Sequence, residues 1–230
     1  MAIINFSAVV GDARKKIGGV VFTKGHSGSV VRRKTSPIQP RTQPATTVRS
    51  AFTQFAKDWS GALTAAQRAA WNALASQVTK SNKLGNKHTL TGLQLFQSLN
   101  RNLSTIGVAE IQTPPASLEV EAPGTVTAAY TSPSPGPEAF TITPSVYPDS
   151  AADAAIYAAA PLSNGKTFIG AKYRFIQFNA GPLSSAISIL TSYKAKFGSI
   201  PAGKQLPVKI AYINNSTGAK GTEVTASAFS

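Results

Sequence analysis

The two histidines, His26 and His88, are the residues of this sequence best suited to acid–base chemistry or to metal binding near neutral pH. Either role requires carboxylates, hydroxyls or further ligands arranged around the imidazole. Both histidines stand in polar segments rich in Gly or Asn, and no HxH, HExxH or GxSxG pattern occurs in the chain. We therefore expect both to be solvated loop residues.

The composition also argues against an enzyme. Only nine acidic residues and no cysteine occur among the 230 residues, which disfavours paired-carboxylate catalysis and excludes thiolate chemistry and cysteine-ligated metals. The glycines at positions 18, 19, 25 and 28 do not form the GxxxxGK[ST] pattern of a phosphate-binding loop, and they suit hairpin turns. We predict a protein without catalytic residues, cofactor or metal site.

Charge is the strongest functional signal, because the net charge of +14 is unevenly distributed. Residues 1–110 contain 15 Lys and Arg against three acidic residues, whereas residues 111–230 contain eight against six. A field of this sign attracts a polyanion or an acidic protein surface. The candidate contact residues all lie in the first part of the chain: Arg32, Arg33, Lys34, Arg41 and Arg49.

The elements that must position these basic residues are a hairpin and a proline-rich arm. Residues 17–34 predict a β-hairpin, because two valine-containing runs flank a Gly-containing turn at 24–28. Residues 35–45 contain three prolines, each lacking a backbone N–H, and are predicted to be extended. This arm has few apolar residues, so we expect it to become ordered by binding a neighbour.

Three helices are predicted after the arm, at about 46–59, 64–79 and 91–104. Capping boxes mark the starts of the second and third: Thr64 with Gln67, and Thr91 with Gln94. Ser60-Gly61 is predicted to connect the first two helices tightly, and residues 80–88 to form a polar basic loop. Large apolar residues at helical spacing form the predicted core of this module: Phe52, Phe55, Trp59, Trp71 and Leu74.

The second half of the chain predicts an all-β structure. Eight candidate strands are separated by Pro, Gly, Ser and Asn: Leu118–Val120, Val126–Tyr130, Phe140–Val146, Ala154–Ala159, Ala171–Asn179, Ala186–Leu190, Val208–Ile213 and Glu223–Ala226. Imperfect alternation within Tyr173–Asn179 indicates a strand that is bulged or buried on both sides. We predict an α+β protein, with a basic hairpin, arm and three-helix module at 1–110 and an antiparallel β-sandwich at 111–230.

The first half resembles a family of structural proteins of tailed bacteriophages and prophages. The resemblance covers roughly residues 15–105 and combines a Gly-Gly hairpin, a basic Pro-containing segment, an aromatic helix, an LTxxQRxAWNxLA helix and a TGxxxF helix start. The matching residues are Gly18, Gly19, Arg32, Arg33, Pro37, Pro40, Arg49, Phe52, Trp59, Leu63, Thr64, Gln67, Arg68, Ala70, Trp71, Asn72, Leu74, Ala75, Thr91, Gly92, Leu95 and Phe96. The second half is similar to fibronectin-III or immunoglobulin-like modules appended to phage structural proteins.

This resemblance implies a non-enzymatic component of a phage particle, associated with the capsid or the tail and located in the virion. The implied partners are other virion proteins and further copies of the chain. An alternative is a genome-associated or packaging protein that binds nucleic acid through the basic half. A third is a β-sandwich that binds a host surface or a glycan. No apolar run approaches the roughly 18–20 residues of a membrane-spanning helix, so we expect a soluble protein with no membrane partner.

Overall fold

The computed structural model describes residues 2–5, 12–25, 28–36, 39, 41–82, 84–133, 136–166 and 169–230. Three residues named in the predictions, His26, Pro37 and Pro40, lie outside these ranges. The chain divides into two compact units, one of residues 1–97 with 112–114 and the other of residues 98–111 with 115–230. The division into independent domains at 110/111 stays a prediction.

The first unit begins with a four-stranded antiparallel sheet. Its strands are β1 (Ala2–Ile4), β2 (Lys15–Ile17), β3 (Val20–Gly25) and β4 (Gly28–Arg33), in the order β1-β4-β3-β2. The antiparallel pairing of β3 with β4 confirms the predicted hairpin. The sequence analysis missed β1 and β2, although Ile17 of β2 lies within the range predicted for that hairpin. Gly18 has a φ of +56° in the two-residue turn between β2 and β3, which explains a glycine there.

The helical part of the first unit differs from its prediction at the boundaries. It comprises helices α1 (Gln43–Lys57) and α2 (Ala65–Gln77), the first turns of α3 (Gly92–Thr105), and two short strands, β5 (Thr79–Ser81) and β6 (Lys87–Thr89). Helix α1 starts three residues earlier than predicted, since Pro44 occupies its first turn, where no N–H is needed. Asp58–Ala62 continue α1 as a π-helical turn, so the predicted break at Ser60-Gly61 is wrong.

The prediction of a loop at 80–88 is also wrong, because β5 and β6 pair as a small antiparallel hairpin. The side-chain oxygen of Asn82 accepts hydrogen bonds from the backbone N–H groups of Leu84 and Asn86, at 2.9 and 3.0 Å. These bonds form a turn that a polar sequence favours but does not specify. His88 lies in β6 and is half-buried, so the expectation that it is a solvated loop residue is wrong.

The second unit contains two antiparallel sheets. Its elements are β7 (Val126–Thr131), β8 (Ala139–Pro144), β9 (Ala152–Ala158), β10 (Leu162–Ser163), a 3₁₀ turn (Gly170–Lys172), β11 (Arg174–Asn179), β12 (Ile187–Ser188), α4 (Leu190–Phe197), β13 (Lys204–Asn214) and β14 (Val224–Phe229). In one sheet the strand order is β10-β13-β9-β11, and β14 also pairs with β13. The other sheet has the order β12-β8-β7. The α+β class is therefore confirmed.

Several strand predictions in this unit require correction. Leu118–Val120 form no strand, and Ala186–Leu190 divide into the short β12 and the first residue of the unpredicted helix α4. Strand β11 begins only at Arg174 and shifts register between Phe175 and Gln177, which confirms the predicted bulge. Strands β9 and β13 are covered on both faces. Their side chains are therefore apolar at most positions instead of alternating between apolar and polar.

The main core of the second unit lies between these two sheets. Phe140 and Ile142 from β8 pack with residues of β9 and β13 and with Tyr193 of α4, all fully buried. A smaller cluster covers the other side of the five-stranded sheet, where Leu103 and Ile106 at the end of α3 pack with Ala155 and Ile213. The last turns of α3 thus belong to the β-rich unit, although their sequence resembles that of the helical module.

Candidate functional site

Four aromatic rings form the centre of the first unit. Phe96 of α3 is 1% exposed, and its ring centroid lies 6.4 Å from that of Phe55, 5.8 Å from that of Trp59 and 5.5 Å from that of Trp71. Tilted and edge-on contacts of this kind stabilise aromatic pairs beyond the area they bury. The helical module therefore folds around Phe96, which the sequence analysis placed on the apolar stripe of the third helix but not among the predicted core residues.

The polar residues of the LTxxQR segment join α1 to α2. Gln67 N–H donates to the Thr64 hydroxyl at 3.2 Å while Thr64 N–H donates to the Gln67 side chain at 2.9 Å, which confirms the predicted capping box. The guanidinium of Arg68 donates to the carbonyl oxygens of Trp59 and Ser60, both at 3.2 Å. These carbonyls lie in the π-helical turn, so Arg68 supplies hydrogen bonds that a helix end otherwise lacks.

The AWN and TG segments join α2 to α3. The Asn72 side-chain oxygen accepts a hydrogen bond from Gly92 N–H at 3.1 Å, and the Trp71 indole N–H donates to the Gln112 carbonyl at 2.8 Å. A Cβ atom on Gly92 would lie 2.9 Å from the backbone nitrogen of Asn72 and 2.9 Å from the ring of Trp59. Each of these motif residues has a structural task, which makes the motif a folding element of the unit.

Three predicted core residues of this module are not fully buried. Phe52 is 42% exposed, and Trp59 and Leu74 are half-buried. Val48, one turn before Phe52 on α1, is 37% exposed. The predicted stripe therefore exists on α1. Phe55 and Trp59 contact Phe96 at the centre of the cluster, whereas Phe52 meets its edge through Phe55, with 6.2 Å between the ring centroids. The rest of the stripe is an uncovered apolar strip.

The predicted basic contact residues fall into two groups. Arg32 and Arg33 end β4 opposite Val21 and Val20 of β3, and the Lys34 N–H donates to the Gly19 carbonyl at 2.8 Å. Arg41 precedes α1 and Arg49 lies in its middle, and both are exposed. The sheet thus brings the first three together, with Lys15 and Lys16 of β2 one strand farther across, and includes neither Arg41 nor Arg49.

The basic end of the sheet has no acidic neighbour among the described residues. Asp12 is the only acidic residue before Asp58, and its carboxylate pairs with Arg14 at 2.9 Å and with Lys24 at 3.8 Å. The hydrogen bond from Arg14 holds the pKa of Asp12 below its ordinary value. Lys24 lies at the opposite end of β3 from Val20, so this pairing leaves the charges of Arg32, Arg33 and Lys34 uncompensated.

The sheet itself is open. Among the described side chains of its four strands, none is buried: each is either exposed or half-buried. Large apolar residues are included, with Ile17 65% exposed and Val20 38% exposed. A surface of this kind combines positive charge with apolar area, which is the chemistry of a binding surface.

The second unit carries two ionic clusters. Glu223 accepts hydrogen bonds from Lys209 and Lys220, both at 2.6 Å. Burial by itself would raise the pKa of Glu223, but these hydrogen bonds and the nearby positive charges outweigh it, and the pKa is lowered. The two lysines hold the Glu223 carboxylate in its charged form, so it is not a candidate proton donor. The cluster instead links β13 to the chain just before β14.

The other cluster joins α4 to the segment before β8. Glu138 forms an ion pair with Lys194 and accepts a hydrogen bond from the Tyr130 hydroxyl at 2.9 Å. The hydrogen bond from Lys194 lowers the pKa of Glu138, whereas burial and the carboxylate raise that of Tyr130. This cluster likewise has a structural role, because the Glu138 carboxylate is occupied by its contacts with Lys194 and Tyr130.

Comparisons with other proteins complete this description. No family model matches the chain, and neither the curated proteins nor the solved structures include a significant match. In the described part of the chain, no three His, Cys, Asp or Glu side chains are grouped as metal ligands would be. None of the helices described here has the length and hydrophobicity to cross a bilayer.

Proposed function

We propose that this protein is a non-enzymatic structural component of a bacteriophage particle, attached to the capsid or the tail through its basic N-terminal half. The observation that carries the proposal is the open four-stranded sheet, whose described side chains are all exposed or half-buried. A sheet of three or more strands needs a covered hydrophobic face for stability. A partner that covers this sheet would supply the missing burial.

The motif residues support an assembly role. Thr64, Gln67, Arg68, Asn72 and Gly92 are all engaged in helix ends and helix contacts. Side chains occupied in this way build a rigid module that can present neighbouring surfaces to a partner. The virion location and the phage setting rest on the sequence resemblance of residues 15–105.

The uncovered strip on α1 supports a homo-oligomer. Val48 and Phe52 are 37% and 42% exposed on the same side of the helix. Burial of each such side chain in a subunit contact would contribute up to about 1.5–3 kcal/mol. We therefore assign this strip to contacts between copies of the chain.

For the β-rich unit we propose an immunoglobulin- or fibronectin-III-like sandwich that is displayed away from the attachment point. Its support is that two antiparallel sheets share one core, in which Phe140, Ile156, Val208 and Tyr212 are fully buried. Its charge is nearly balanced, so it lacks the electrostatic attraction of the first half.

The alternative is nucleic-acid binding, which is favoured by the uncompensated charges of Arg32, Arg33 and Lys34. It predicts DNA binding that weakens steeply between about 50 and 200 mM salt. It also predicts that most of this binding is lost when these three residues become Ala. Our proposal expects only weak DNA binding and, on the same three substitutions, loss of the protein from the assembled particles.

Mass spectrometry of purified particles from the host that encodes the chain tests the proposal directly. We expect the protein to sediment with intact particles. If it is abundant in infected cells but absent from particles, the proposal is wrong. If particle association instead disappears on DNase treatment, the nucleic-acid alternative is favoured.

A further inference from the structure

The register of the open sheet defines two faces of different composition. Directly opposed residues share a face, so Ile17, Val20 and Arg33 lie in one row on one side. The neighbouring row on this side contains Lys15, Phe22 and Val31. We call this side the Val20 face. The opposite side, the Val21 face, contains Lys16, Val21, Thr23, Val30 and Arg32.

The Val21 face is turned towards the rest of the first unit at one end. A Cβ atom on Gly28, which shares that face, would lie 3.6 Å from the side-chain nitrogen of Asn82. Nearby, the Asn86 side chain donates a hydrogen bond to the side chain of Asn5 at 3.0 Å. Asn82 and Asn86 belong to the turn of the β5–β6 hairpin. The Val20 face is thus the side directed away from this hairpin.

An outward face should be polar, but the Val20 face is not. Ile17 and Val20 are its most exposed apolar residues, at 65% and 38%, and Phe22 and Val31 beside them are half-buried. Positive charge borders this apolar centre: Arg33 ends one row and Lys15 ends the next, while Lys24, farther along the face, is paired with Asp12. An apolar centre with a charged rim is the usual organisation of a protein-binding surface.

Charge decides among the possible occupants of the face. A second copy would place Lys15 and Arg33 of one chain near the same residues of the other, and the described strands of the sheet contain no Asp or Glu to offset them. Single-stranded nucleic acid binds by stacking bases on aromatic rings, and the described residues of this face include only Phe22 as an aromatic. An acidic protein surface with apolar residues at its centre matches both the positive charge and the apolar centre of the Val20 face.

We infer that the Val20 face binds an acidic segment of a different protein, whose carboxylates meet Arg33 and Lys15 and whose apolar side chains cover Ile17 and Val20. This inference rests on the proposed function, since it specifies the partner through which the basic half is attached. It assigns contacts between copies of the chain to other surfaces, such as the strip on α1.

The test is site-specific photo-cross-linking of the full chain in cells that assemble the particles. A photo-reactive phenylalanine derivative replaces Val20, or replaces Thr23 as the matched control. Thr23 is exposed on the same strand but belongs to the other face. We expect a cross-link from position 20 to one protein, at a peptide with more Asp and Glu than Lys and Arg, and little cross-linking from position 23.

Two substitutions complete the test. Arg33→Glu should lower the cross-linking yield from position 20 by about tenfold or more, because it replaces the attraction by repulsion. Thr23→Glu, the matched control on the other face, should leave the yield unchanged. Circular dichroism of each variant establishes that the sheet is retained.

The other outcomes overturn the inference. Cross-linking from position 20 to a second copy, to nucleic acid or to a basic peptide would each assign the face to another occupant. Equal cross-linking from both positions, or none from position 20, would show that the face is not an attachment surface. Because the reaction is carried out in cells, a specific acidic partner could still be found if the protein were absent from particles, which separates this inference from the proposed function.

Discussion

Substitution of Gly92 by Ala tests whether the AWN and TG segments are packed as tightly as the structure shows. The added Cβ would lie 2.9 Å from the backbone nitrogen of Asn72 and 2.9 Å from the ring of Trp59, and closer still to the Asn72 side-chain oxygen. A backbone atom cannot move aside as a flexible side chain can. Helix α3 would therefore have to shift away from α2.

The expected loss of stability combines three effects. Overpacking a tight contact costs about 1–3 kcal/mol. Displacing Asn72 weakens its hydrogen bond from Gly92 N–H, which is worth about 1 kcal/mol. The smaller entropy of the unfolded chain with Ala offsets about 0.4–1 kcal/mol. We expect a net loss of about 2 kcal/mol in the free energy of unfolding, or about 30-fold in the folding equilibrium.

Urea unfolding followed by tryptophan fluorescence measures this loss. The chain has two tryptophans, Trp59 and Trp71, and both lie in the aromatic cluster, so the signal reports the first unit alone. Gly61→Ala is the matched control: a Cβ there meets nothing within 4 Å, and its φ is not positive. The control should unfold within about 0.5 kcal/mol of the unmodified protein. If Gly92→Ala is as stable as Gly61→Ala, the packing of α2 against α3 is wrong.

Three further predictions concern the core, the pH dependence and the division of the chain. Phe55→Ala should cost about 3–5 kcal/mol in the same urea experiment, whereas Phe52→Ala should cost less than about 1 kcal/mol because the ring is 42% exposed; equal losses would refute the difference in burial. Glu223→Gln should destabilise the second unit at pH 7 in thermal melts, and this difference should shrink as the pH is lowered below 4.5. The lowered pKa of Glu223 in the folded protein contributes stability above its ordinary value of 4.5, and this stability is lost as the pH falls through the folded value; a difference that does not change as the pH is lowered would contradict this. A fragment of residues 98–230 should melt at a higher temperature and bind less of a hydrophobic dye than one of residues 113–230, since the shorter fragment lacks the α3 residues that cover Ile213; identical behaviour would show that this cover contributes nothing.

Local interactions were the predictable part of the fold. The capping boxes at Thr64 and Thr91 each join residues three positions apart, and both are formed as the sequence pattern indicates. The β3–β4 hairpin likewise needs only a turn and two neighbouring runs of β-branched residues. Such features depend on a few adjacent residues, so their physical cause is fully contained in a short stretch of sequence.

Contacts between distant residues were not predictable in the same way. Asn72 and Gly92 are 20 residues apart and Trp71 and Gln112 are 41 apart, so the residue types indicate a special role without identifying the partner. Asn100 is a clearer omission: it is fully buried, and its side chain exchanges two hydrogen bonds with the backbone of Ile111. A sequence pattern carries no signal for it, because any surface Asn looks the same.

The sequence by itself determined the charge of each half, the types of most elements and the apolar stripe on α1. Only the tertiary structure decided that this stripe is covered at Phe55 and exposed at Phe52, and that none of the described side chains of the basic sheet is buried. The physical reason is that periodicity and composition are properties of a segment alone. Burial depends on which other segments pack against it, and that is set by contacts distributed over the whole unit.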